Sequence, residues 1–316
     1  MDVLTDVLTV TRLRGTTLDQ LVAAAPWGVR LPDAPLAAFH AVAQGTCWLT
    51  LPGQPPVQLV PGDVALLPTG ASHLLTSSPD TPPRPYAELV AEQPTERTRT
   101  GGRLDLPGPG PLTHLFCGGY TYQHDGAHPA LSLLPPVVHL PAHTATESGL
   151  PTILAMLATE LAGQQPGAPA VIDHLVDVLF VHILRAWAAR SDGRAHWLPA
   201  LRDPAVAAAM SNMHDEPARA WTVTDLARTA SLSRAAFARR FTDLVGEPPL
   251  TYLTRWRMDL AARHLRTLDQ PIASVARAVG YTSEYAFSRA FHRSRGMPPA
   301  RYRSITRTEH PTQNRP

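Results

Sequence analysis

Residues 275–303 read VARAVGYTSEYAFSRAFHRSRGMPPARYR, and residues 226–253 read LARTASLSRAAFARRFTDLVGEPPLTYL. The second of these units, in chain order, repeats the first at a spacing of 49 to 50 positions. The residues that recur 50 positions apart are Phe237 and Phe287, Phe241 and Phe291, Gly246 and Gly296, Pro248 and Pro298, and Tyr252 and Tyr302. A repeat at a fixed spacing indicates two copies of one structural unit.

Each unit has the pattern of two helices joined by a tight turn. Thr222, followed three positions later by Asp225, forms a capping box that predicts a short helix over Val223–Ala230. After the turn, Ser233 in the first unit and Ser283 in the second are good N-cap residues for another helix. The two phenylalanines of each unit are four positions apart and therefore share one helix face. This is helix-turn-helix architecture, whose second helix enters the major groove of DNA.

The side chains away from the phenylalanine face are the candidates for contact with DNA. They are Ser233, Arg234, Ala235, Ala238, Arg239, Ser283, Glu284, Tyr285, Arg289 and Arg293. Arginine can bond guanine through two donors, and glutamate can accept a hydrogen bond from cytosine. Arg255, Arg257 and Arg295 are predicted, with Arg293, to contact phosphates, which gives affinity without sequence preference. For any single arginine, the alternative is a solvated surface charge.

The charge distribution supports a nucleic-acid partner for the C-terminal part. All 28 basic residues are arginine, and the net charge of the 316-residue chain is only +2. Residues 1–200 carry a net charge of −6, whereas residues 201–316 carry +8. A sign change of this kind is typical of a basic module that binds an acidic partner.

The C-terminal units resemble AraC/XylS-type transcription regulators over Asp203–Ser304, most clearly in the stretch GYTSEYAFSRAFHRSRGMPPARYR. The resemblance implies double-stranded DNA at a promoter operator and RNA polymerase as partners, and a role such as activator. The positions that it implies as base readers are Ala235, Ala238, Arg239, Glu284, Tyr285 and Arg289. The two alanines are smaller than the residues often found at those positions in this family.

The N-terminal half has short β-prone runs separated by proline and glycine, which predict a β-sandwich or small barrel. The runs are Ala37–Gln44, Thr46–Leu51, Val57–Val60, Asp63–Leu67 and Thr113–Phe116. Residues 1–20 have the spacing of a short amphipathic helix, and part of residues 79–111 is predicted to be an irregular connection. Two cysteines exclude a disulfide framework. The first residues lack a signal-peptide pattern and no run is apolar enough for a membrane helix, so we expect a cytoplasmic protein without a membrane partner.

Gly62–His73, GDVALLPTGASH, resembles the second cupin motif, with His73 pointing into the barrel. The first cupin motif is degraded, because Ala38 stands where its glutamate belongs and its two histidines are missing from Pro32–Ala34. The metal triad of a cupin enzyme is therefore absent, and we expect no enzymatic activity and no catalytic residues.

A second set of side chains is the candidate sensor site. His40 faces the same way as Ala38 by strand alternation, so that His40, His73, Cys47 and Cys117 could converge in the barrel. Imidazole and thiolate ligands suit zinc, copper or nickel. Two cytosolic thiols could instead sense an oxidant through sulfenic acid and a disulfide. The third interpretation is that all four are ordinary core residues.

The N-terminal half is also similar to the cupin-type sensor domains of some AraC-family members, including the group that responds to reactive chlorine species. The matching segments are FHAVAQGTCWLTL, Gly62–His73, HLFCGGY and Leu134–Leu140. The resemblance implies that cysteines carry the response, with Cys117 as the better-matched counterpart and Cys47 as the other.

The predicted fold class is α+β in two domains: a cupin-like β-barrel with a helical dimerisation segment, and an all-α domain with a duplicated helix-turn-helix. The boundaries are 1–145 for the barrel, 146–200 for the helical pair, 201–306 for the DNA-binding domain and 307–316 for a disordered tail. The helical pair predicts a homodimer. The predicted function is a sequence-specific transcriptional regulator that responds through its barrel to an oxidant, a metal or a small molecule. The alternatives are a cupin enzyme tethered to nucleic acid and a non-specific DNA-binding protein.

Overall fold

The computed structural model describes residues 2–11, 14–93, 102–121, 134–145, 148–163, 165–190 and 196–308. The chain divides into two compact units. One unit is β-rich and spans Arg12–Ser191, and the other is helical and combines Met1–Thr11 with Asp192–Pro316. The prediction of a two-domain α+β protein, with a cupin-like part followed by a helical part, is confirmed.

The β-rich unit has two sheets. In the described residues the strands are β1 (Arg14–Ala24), β2 (Gly28–Leu31), β3 (Leu36–Gln44), β4 (Cys47–Thr50), β5 (Val57–Leu59), β6 (Val64–Leu67), β7 (His73–Thr76), β8 (Arg84–Pro85), β9 (Arg103–Leu106), β10 (Leu112–Thr121) and β11 (Val138–Leu140). One sheet has the order β11-β6-β3-β10-β1-β9, and the other has the order β5-β4-β7-β2-β8. Side chains of both sheets share one apolar cluster, which includes Leu67 and Leu115 of the first sheet and Leu49 and Leu75 of the second. The five runs predicted as strands all lie on strands; four have small shifts at their ends, whereas the strand at Thr113–Phe116 extends to Thr121.

Among the described residues, the β-rich unit also contains four helices. They are α2 (Tyr86–Ala91), α3 (Ala142–Ala145) and the long pair formed by α4 (Leu150–Gly163) and α5 (Ala168–Arg190), which pack on each other. The hydroxyl of Tyr120 on β10 donates to the carbonyl oxygen of Val176 on α5 at 2.9 Å, and its ring contacts Phe180. This buried aromatic side chain joins the helical pair to the first sheet, and α5 also packs on β1 and β11. The expected irregular connection contains α2, β8 and β9.

The N-terminal helix is shorter than expected and belongs to the helical unit. α1 covers Val3–Thr11, and β1 begins at Arg14, so the expected helix over residues 1–20 is wrong in its second half. Val3, Val7 and Val10 of α1 are buried. α1 contacts helices of the C-terminal part, which explains why the first eleven residues separate from the barrel.

The helices of the C-terminal part are α6 (Trp197–Ala200), α7 (Pro204–Asp215), α8 (Val223–Thr229), α9 (Arg234–Val245), α10 (Pro249–Thr267), α11 (Ile272–Ala278), α12 (Glu284–Arg295) and α13 (Pro299–Thr308). The pairs α8–α9 and α11–α12 are the two helix-turn-helix units, and α10 joins them. The spacing of Leu253, Trp256, Leu260 and Leu265 predicts a helix over Tyr252–Leu268, and α10 begins three residues earlier, at Pro249. Of the tail expected over 307–316, residues 309–316 lie outside the described residues.

The packing of the two helix-turn-helix units repeats as closely as their sequences. The rings of Phe241 and Tyr252 meet edge to face with centroids 5.9 Å apart, and those of Phe291 and Tyr302 do so at 5.3 Å. Gly246 and Gly296 end the second helix of each unit in the left-handed conformation that glycine adopts without strain. None of the helices that the structure describes is long and apolar enough to cross a membrane.

Candidate nucleic-acid interface and barrel cavity

The first candidate recognition helix is α9. The hydroxyl of Ser233 accepts a hydrogen bond from the backbone N–H of Ala236 at 3.2 Å, so this side chain caps the helix. Phe237 and Phe241 are fully buried against the rest of the unit. Arg234 and Arg239 are exposed on the opposite side. Ala235 is exposed and Ala238 is half-buried, and neither side chain carries a hydrogen-bonding group.

The second candidate recognition helix, α12, presents larger side chains. Ser283 caps it by accepting from the N–H of Ala286 at 3.3 Å. Glu284, Arg289 and Arg293 are exposed, and Tyr285 is 72% exposed, which is unusual for a ring of this size. The guanidinium carbon of Arg289 lies 5.9 Å from the centre of the Tyr285 ring, within cation–π range. The exposed tyrosine therefore limits where this arginine can point.

Three arginines predicted to contact phosphates have structural partners instead. Arg255 forms an ion pair with Glu247 at 2.6 Å. Arg257 donates to the backbone carbonyl oxygens of Pro217 and Arg219 at 2.7 and 2.8 Å. These bonds use the guanidinium groups to join helices and loops of the unit. Both arginines therefore have partners inside the unit, and their contact with phosphates stays a prediction.

Arg295, the third of these arginines, forms an ion pair with Asp259 of α10. Both side chains are buried, at 11% and 1% exposure. The pair fixes the end of α12 to the helix that joins the two units. Sequence reasoning missed Asp259 altogether, although an acidic residue inside an otherwise arginine-rich helix is a signal that could have drawn attention to it.

The β-rich unit contains a cavity of about 240 Å³, partly open to the solvent, that is lined by side chains of both sheets. The side chains around it are mainly apolar, and its polar members are Asp19, Gln20, His40, His73, Tyr86 and Cys117. Ala38, at the position of the lost cupin glutamate, is also on its wall. The expected orientation of His40 and His73 toward the barrel interior agrees with this lining.

His40 and His73 bond to each other across the two sheets, with 2.8 Å between their Nε2 atoms. Burial, followed by the charge of His73, holds the pKa of His40 well below its usual value, and burial also lowers the pKa of His73. Both rings are therefore neutral at pH 7. His73 Nδ1 lies 2.7 Å from the carbonyl oxygen of Ala71, which can only accept, so Nδ1 carries the proton of His73.

This assignment fixes the other three ring nitrogens. His73 Nε2 accepts, His40 Nε2 donates, and His40 Nδ1 is left as an unprotonated acceptor. In the part of the chain that the structure describes, His40 Nδ1 is buried and has no hydrogen-bond partner. The pair is thus a neutral polar group in an apolar wall, with one acceptor unused.

The two cysteines lie in different surroundings, and both are free thiols. Cys117 faces His40 across the β10–β3 pairing and lines the cavity. Cys47 is fully buried in the apolar cluster between the sheets. Burial, with a smaller effect of Asp63, raises the pKa of Cys47 to about 12, and burial raises that of Cys117 well above its usual value. Neither thiol is a thiolate at pH 7, the form that reacts with oxidants.

A metal site built from all four sensor candidates is not formed. Among the described residues, which include all four, no group of three or more His, Cys, Asp or Glu side chains is arranged to hold a metal ion. The reason is geometric, since the imidazoles of His40 and His73 are directly hydrogen-bonded and Cys47 belongs to the packed core. A structural zinc site uses four such ligands.

Comparison with known proteins covers both units. A protein-family model described as a cupin matches residues 2–189, more than half of the chain, and a model described as a helix-turn-helix domain matches residues 226–305. A Streptomyces lividans protein named as an AraC-like transcription regulator is 39% identical over 314 residues, 99% of this chain and 99% of that protein. A protein of the same name from Streptomyces antibioticus is 38% identical, over 96% of this chain and 98% of its own length.

A third relative is the RCS-specific HTH-type transcriptional activator RclR of Escherichia coli strain K12. It is 29% identical over 313 residues, 97% of this chain and 99% of that protein. The resemblance to regulators with an N-terminal cupin domain, including one responsive to reactive chlorine, is thereby confirmed. The relatives are named as regulators, in agreement with the expectation of a protein that is not an enzyme.

Proposed function

The chain belongs to the AraC-like family of DNA-binding transcription regulators, and we propose that it binds its operator as a homodimer and changes its DNA affinity when the cupin domain receives a signal. The observation that carries the DNA-binding part is the presence of two matched helix-turn-helix units, each with an exposed helix surface behind a buried phenylalanine pair. We place this activity in the cytoplasm, with RNA polymerase as the partner of the operator-bound protein.

We expect the two recognition helices to contribute unequally to the recognition of DNA bases. α12 offers Glu284, Tyr285 and Arg289, which have base-specific hydrogen-bonding groups, whereas on α9 the corresponding positions are Ala235, Ala238 and Arg239. Small side chains contribute apolar contacts to thymine methyl groups at most. We expect the half of the operator under α12 to be the more strictly specified.

The linker helix suits binding to successive major grooves. α10 has 19 residues, which correspond to a length of about 28 Å, close to the ~34 Å of one DNA turn. Selection of DNA from a random pool by the purified chain tests this proposal. The expected result is a motif in two parts about one helical turn apart. Enrichment of no motif over competitor DNA would instead favour non-specific binding.

The homodimer is proposed on the outer surface of the α4–α5 pair. Met156 of α4 is 48% exposed, and Val171 and Val178 of α5, seven positions apart on one helix face, are also exposed. Scattered exposed apolar residues are normal, but three on one helical pair form a surface that a second copy can cover.

The signal is proposed to act on the barrel and to shift the population of DNA-competent chains. An oxidant, a metal ion and a small molecule remain the three classes. The name of the relative RclR favours an oxidant, whereas the protonated thiols of Cys47 and Cys117 and the cavity favour a small molecule. Replacing Cys117 by serine separates a small molecule from the other two classes: a response to an oxidant or a metal ion that acts through this thiol is lost, and a response to a small molecule is kept.

A further inference from the structure

The two helix-turn-helix units contact each other directly, in addition to being joined by α10. The contact lies between the loop of residues 216–221, which leads into the first unit, and the turn at Gly280, which joins α11 to α12 in the second. A Cβ added to Gly280 would lie 2.8 Å from the carbonyl oxygen of Ala218 and 3.0 Å from its Cα, closer than van der Waals contact allows. The backbone of the turn therefore packs directly on the backbone of the loop.

Arg257, near the middle of α10, bonds to this loop. Its Nε donates to the carbonyl oxygen of Pro217 at 2.7 Å, and its Nη2 donates to that of Arg219 at 2.8 Å. The same Nη2 would lie 2.9 Å from a Cβ at Gly280, so the guanidinium also contacts the turn. One side chain therefore connects the linker helix, the loop of the first unit and the turn of the second.

The loop is cross-linked internally and leads straight into the first unit. Arg219 forms an ion pair with Glu216 at 3.0 Å, and its guanidinium carbon lies 3.9 Å from the centre of the Trp221 ring. The indole N–H of the buried Trp221 donates to the carbonyl oxygen of Glu216 at 3.0 Å. Thr222, the next residue, caps α8, which is the first helix of that unit. The position of the loop therefore determines where the first unit begins.

The turn is coupled to the second recognition helix. Tyr281, which follows Gly280, is half-buried, and its ring meets that of Phe287 on α12 edge to face with centroids 5.8 Å apart. Burial raises the pKa of Tyr281, and the charges of Arg257 and Arg293 act in the opposite direction, so Arg257 is close to this phenol as well. The contact between the units thus lies one residue away from a side chain that packs on α12.

The relative orientation of the two units matters because DNA is a regular helix. Recognition helices that read successive major grooves must match a repeat of about 34 Å. One inserted base pair moves the two halves of a site apart by about 3.4 Å and rotates one half relative to the other by about 35°. α10 sets the distance along its own axis, whereas the rotation of one unit relative to the other also depends on contacts that cross between them.

We propose that Arg257 is a positioning residue that holds the two helix-turn-helix units in one orientation, and that it thereby determines which spacing between the two halves of the operator the chain accepts. The proposal rests on the proposed function, in which both units read DNA. It gives Arg257 a different role from that of Glu284, Tyr285 and Arg289, which are proposed to read bases within one half of the operator.

The affinity for the selected operator, compared with that for the same operator carrying one base pair inserted between its halves, tests the proposal. We expect the wild-type chain to bind the inserted operator at least about ten times more weakly, and Arg257→Met to reduce this ratio to below about three. A loss of folding stability or of a phosphate contact lowers both affinities and leaves the ratio unchanged. Equal binding of both operators by the wild-type chain, or an unchanged ratio in Arg257→Met, would overturn the proposal.

Two further variants complete the comparison. Arg277→Met removes an exposed arginine of α11 and should keep the wild-type ratio. Arg257→Lys keeps the positive charge but lacks the planar fork of donors that reaches both carbonyl oxygens, so its ratio should be intermediate. It also serves if Arg257→Met does not fold. A ratio in Arg257→Lys equal to that of the wild-type chain would then contradict the proposal.

A measurement without DNA separates this proposal from the proposed function. Spin labels at Arg234→Cys and Glu284→Cys, the first residues of α9 and α12, report the distance between the recognition helices in a full-length chain that also carries Cys117→Ser. We expect Arg257→Met to broaden the distribution of distances, and Arg277→Met to leave it unchanged. Broadening without a two-part operator motif would refute the proposed function alone. A two-part motif with an unchanged distribution in Arg257→Met would refute the role of Arg257 alone.

Discussion

His214 Nδ1 lies 3.2 Å from a carboxylate oxygen of Asp6, although 208 positions separate the two residues. His214 is on α7 and stacks on Trp256 of α10, while its Nε2 lies 2.7 Å from the hydroxyl of Tyr252. Burial, followed by the charge of Arg255, lowers the pKa of His214 to about 3. The neutral imidazole therefore donates to Asp6 and accepts from Tyr252, and it attaches the N-terminal helix to the helical unit.

The first prediction concerns the loss of unfolding free energy at acid pH. Because the unfolded chain binds a proton on His214 below about pH 6.5 and the folded chain does so only near pH 3, this residue's contribution to stability is lost as the pH falls through that interval. Asp6 acts in the opposite sense, since burial raises its pKa. We expect His214→Phe to reduce the loss of unfolding free energy between pH 7 and pH 5, as measured by urea denaturation. The exposed control His292→Phe should keep the wild-type slope; equal slopes for all three proteins would refute the prediction.

The second prediction concerns the turns of the two helix-turn-helix units. Ser231 has φ of 53°, and its counterpart in the other unit is Gly280 with φ of 84°. A left-handed conformation costs a non-glycine residue about 1–2 kcal/mol. Replacing the residue by glycine removes this cost, but part of the gain in stability is offset because the unfolded chain is more flexible at a glycine. Ser231→Gly should therefore stabilise the chain by about 0.5–1 kcal/mol, as measured by thermal denaturation.

Gly280→Ser is the reciprocal variant and should destabilise the chain. A Cβ at Gly280 would lie 2.8 Å from the carbonyl oxygen of Ala218 and 2.9 Å from the guanidinium of Arg257. A fall in melting temperature for Ser231→Gly, or no effect of Gly280→Ser, would contradict this account of the turns.

The third prediction concerns the buried ion pair between Asp259 and Arg295. Removing one partner leaves the other charge buried and unpaired, so Asp259→Ala should cost about 3–5 kcal/mol of unfolding free energy. The double variant Asp259→Leu with Arg295→Met should recover most of that loss, because two apolar side chains replace the pair. Breaking the exposed pair of Arg84 and Glu92 by Glu92→Ala is the control, and it should leave the unfolding free energy almost unchanged because solvent screens this pair. A double variant no more stable than Asp259→Ala would show that the pair is required for packing.

The fourth prediction concerns the homodimer. Val178→Glu puts a charge on the exposed face of α5 and should convert the dimer into a monomer in sedimentation experiments. Val60→Glu is the matched control, since Val60 is 40% exposed in the same unit but outside the helical pair. A wild-type monomer, or a dimer that survives Val178→Glu, would remove this surface from the proposal.

Local patterns predicted most of the fold. The repeated phenylalanines, glycines and N-cap serines predicted the two helix-turn-helix units, because each of these residues contacts groups only a few positions away in the sequence. Proline and glycine residues at the turns located strands such as β3 and β6, and the alternation of side chains along a strand predicted that His40 faces the interior. The ends of α10 and α1 were less accurate because neighbouring helices decide where these helices begin and end.

Long-range contacts could not be predicted in the same way. The roles of Arg255, Arg257 and Arg295 depend on acceptors 8 to 40 positions away, which a single sequence does not pair with them. The assignment of α1 to the helical unit depends on Asp6 and His214 in the same manner. Of the four sensor candidates, His40, His73 and Cys117 line one cavity, whereas Cys47 lies in the packed core, because strand alternation gives the side of a sheet and not the distance between side chains.

The most direct test of sequence-specific recognition is the affinity of Arg289→Ala for the selected operator and for random DNA of equal length at one salt concentration. Arg84→Ala, which removes one positive charge from the β-rich unit, is the control. We expect a loss of about 1–3 kcal/mol on the operator, little change on random DNA, and near wild-type binding for Arg84→Ala. An equal loss on both DNAs would show that Arg289 contacts only phosphate and would contradict its role as a base reader.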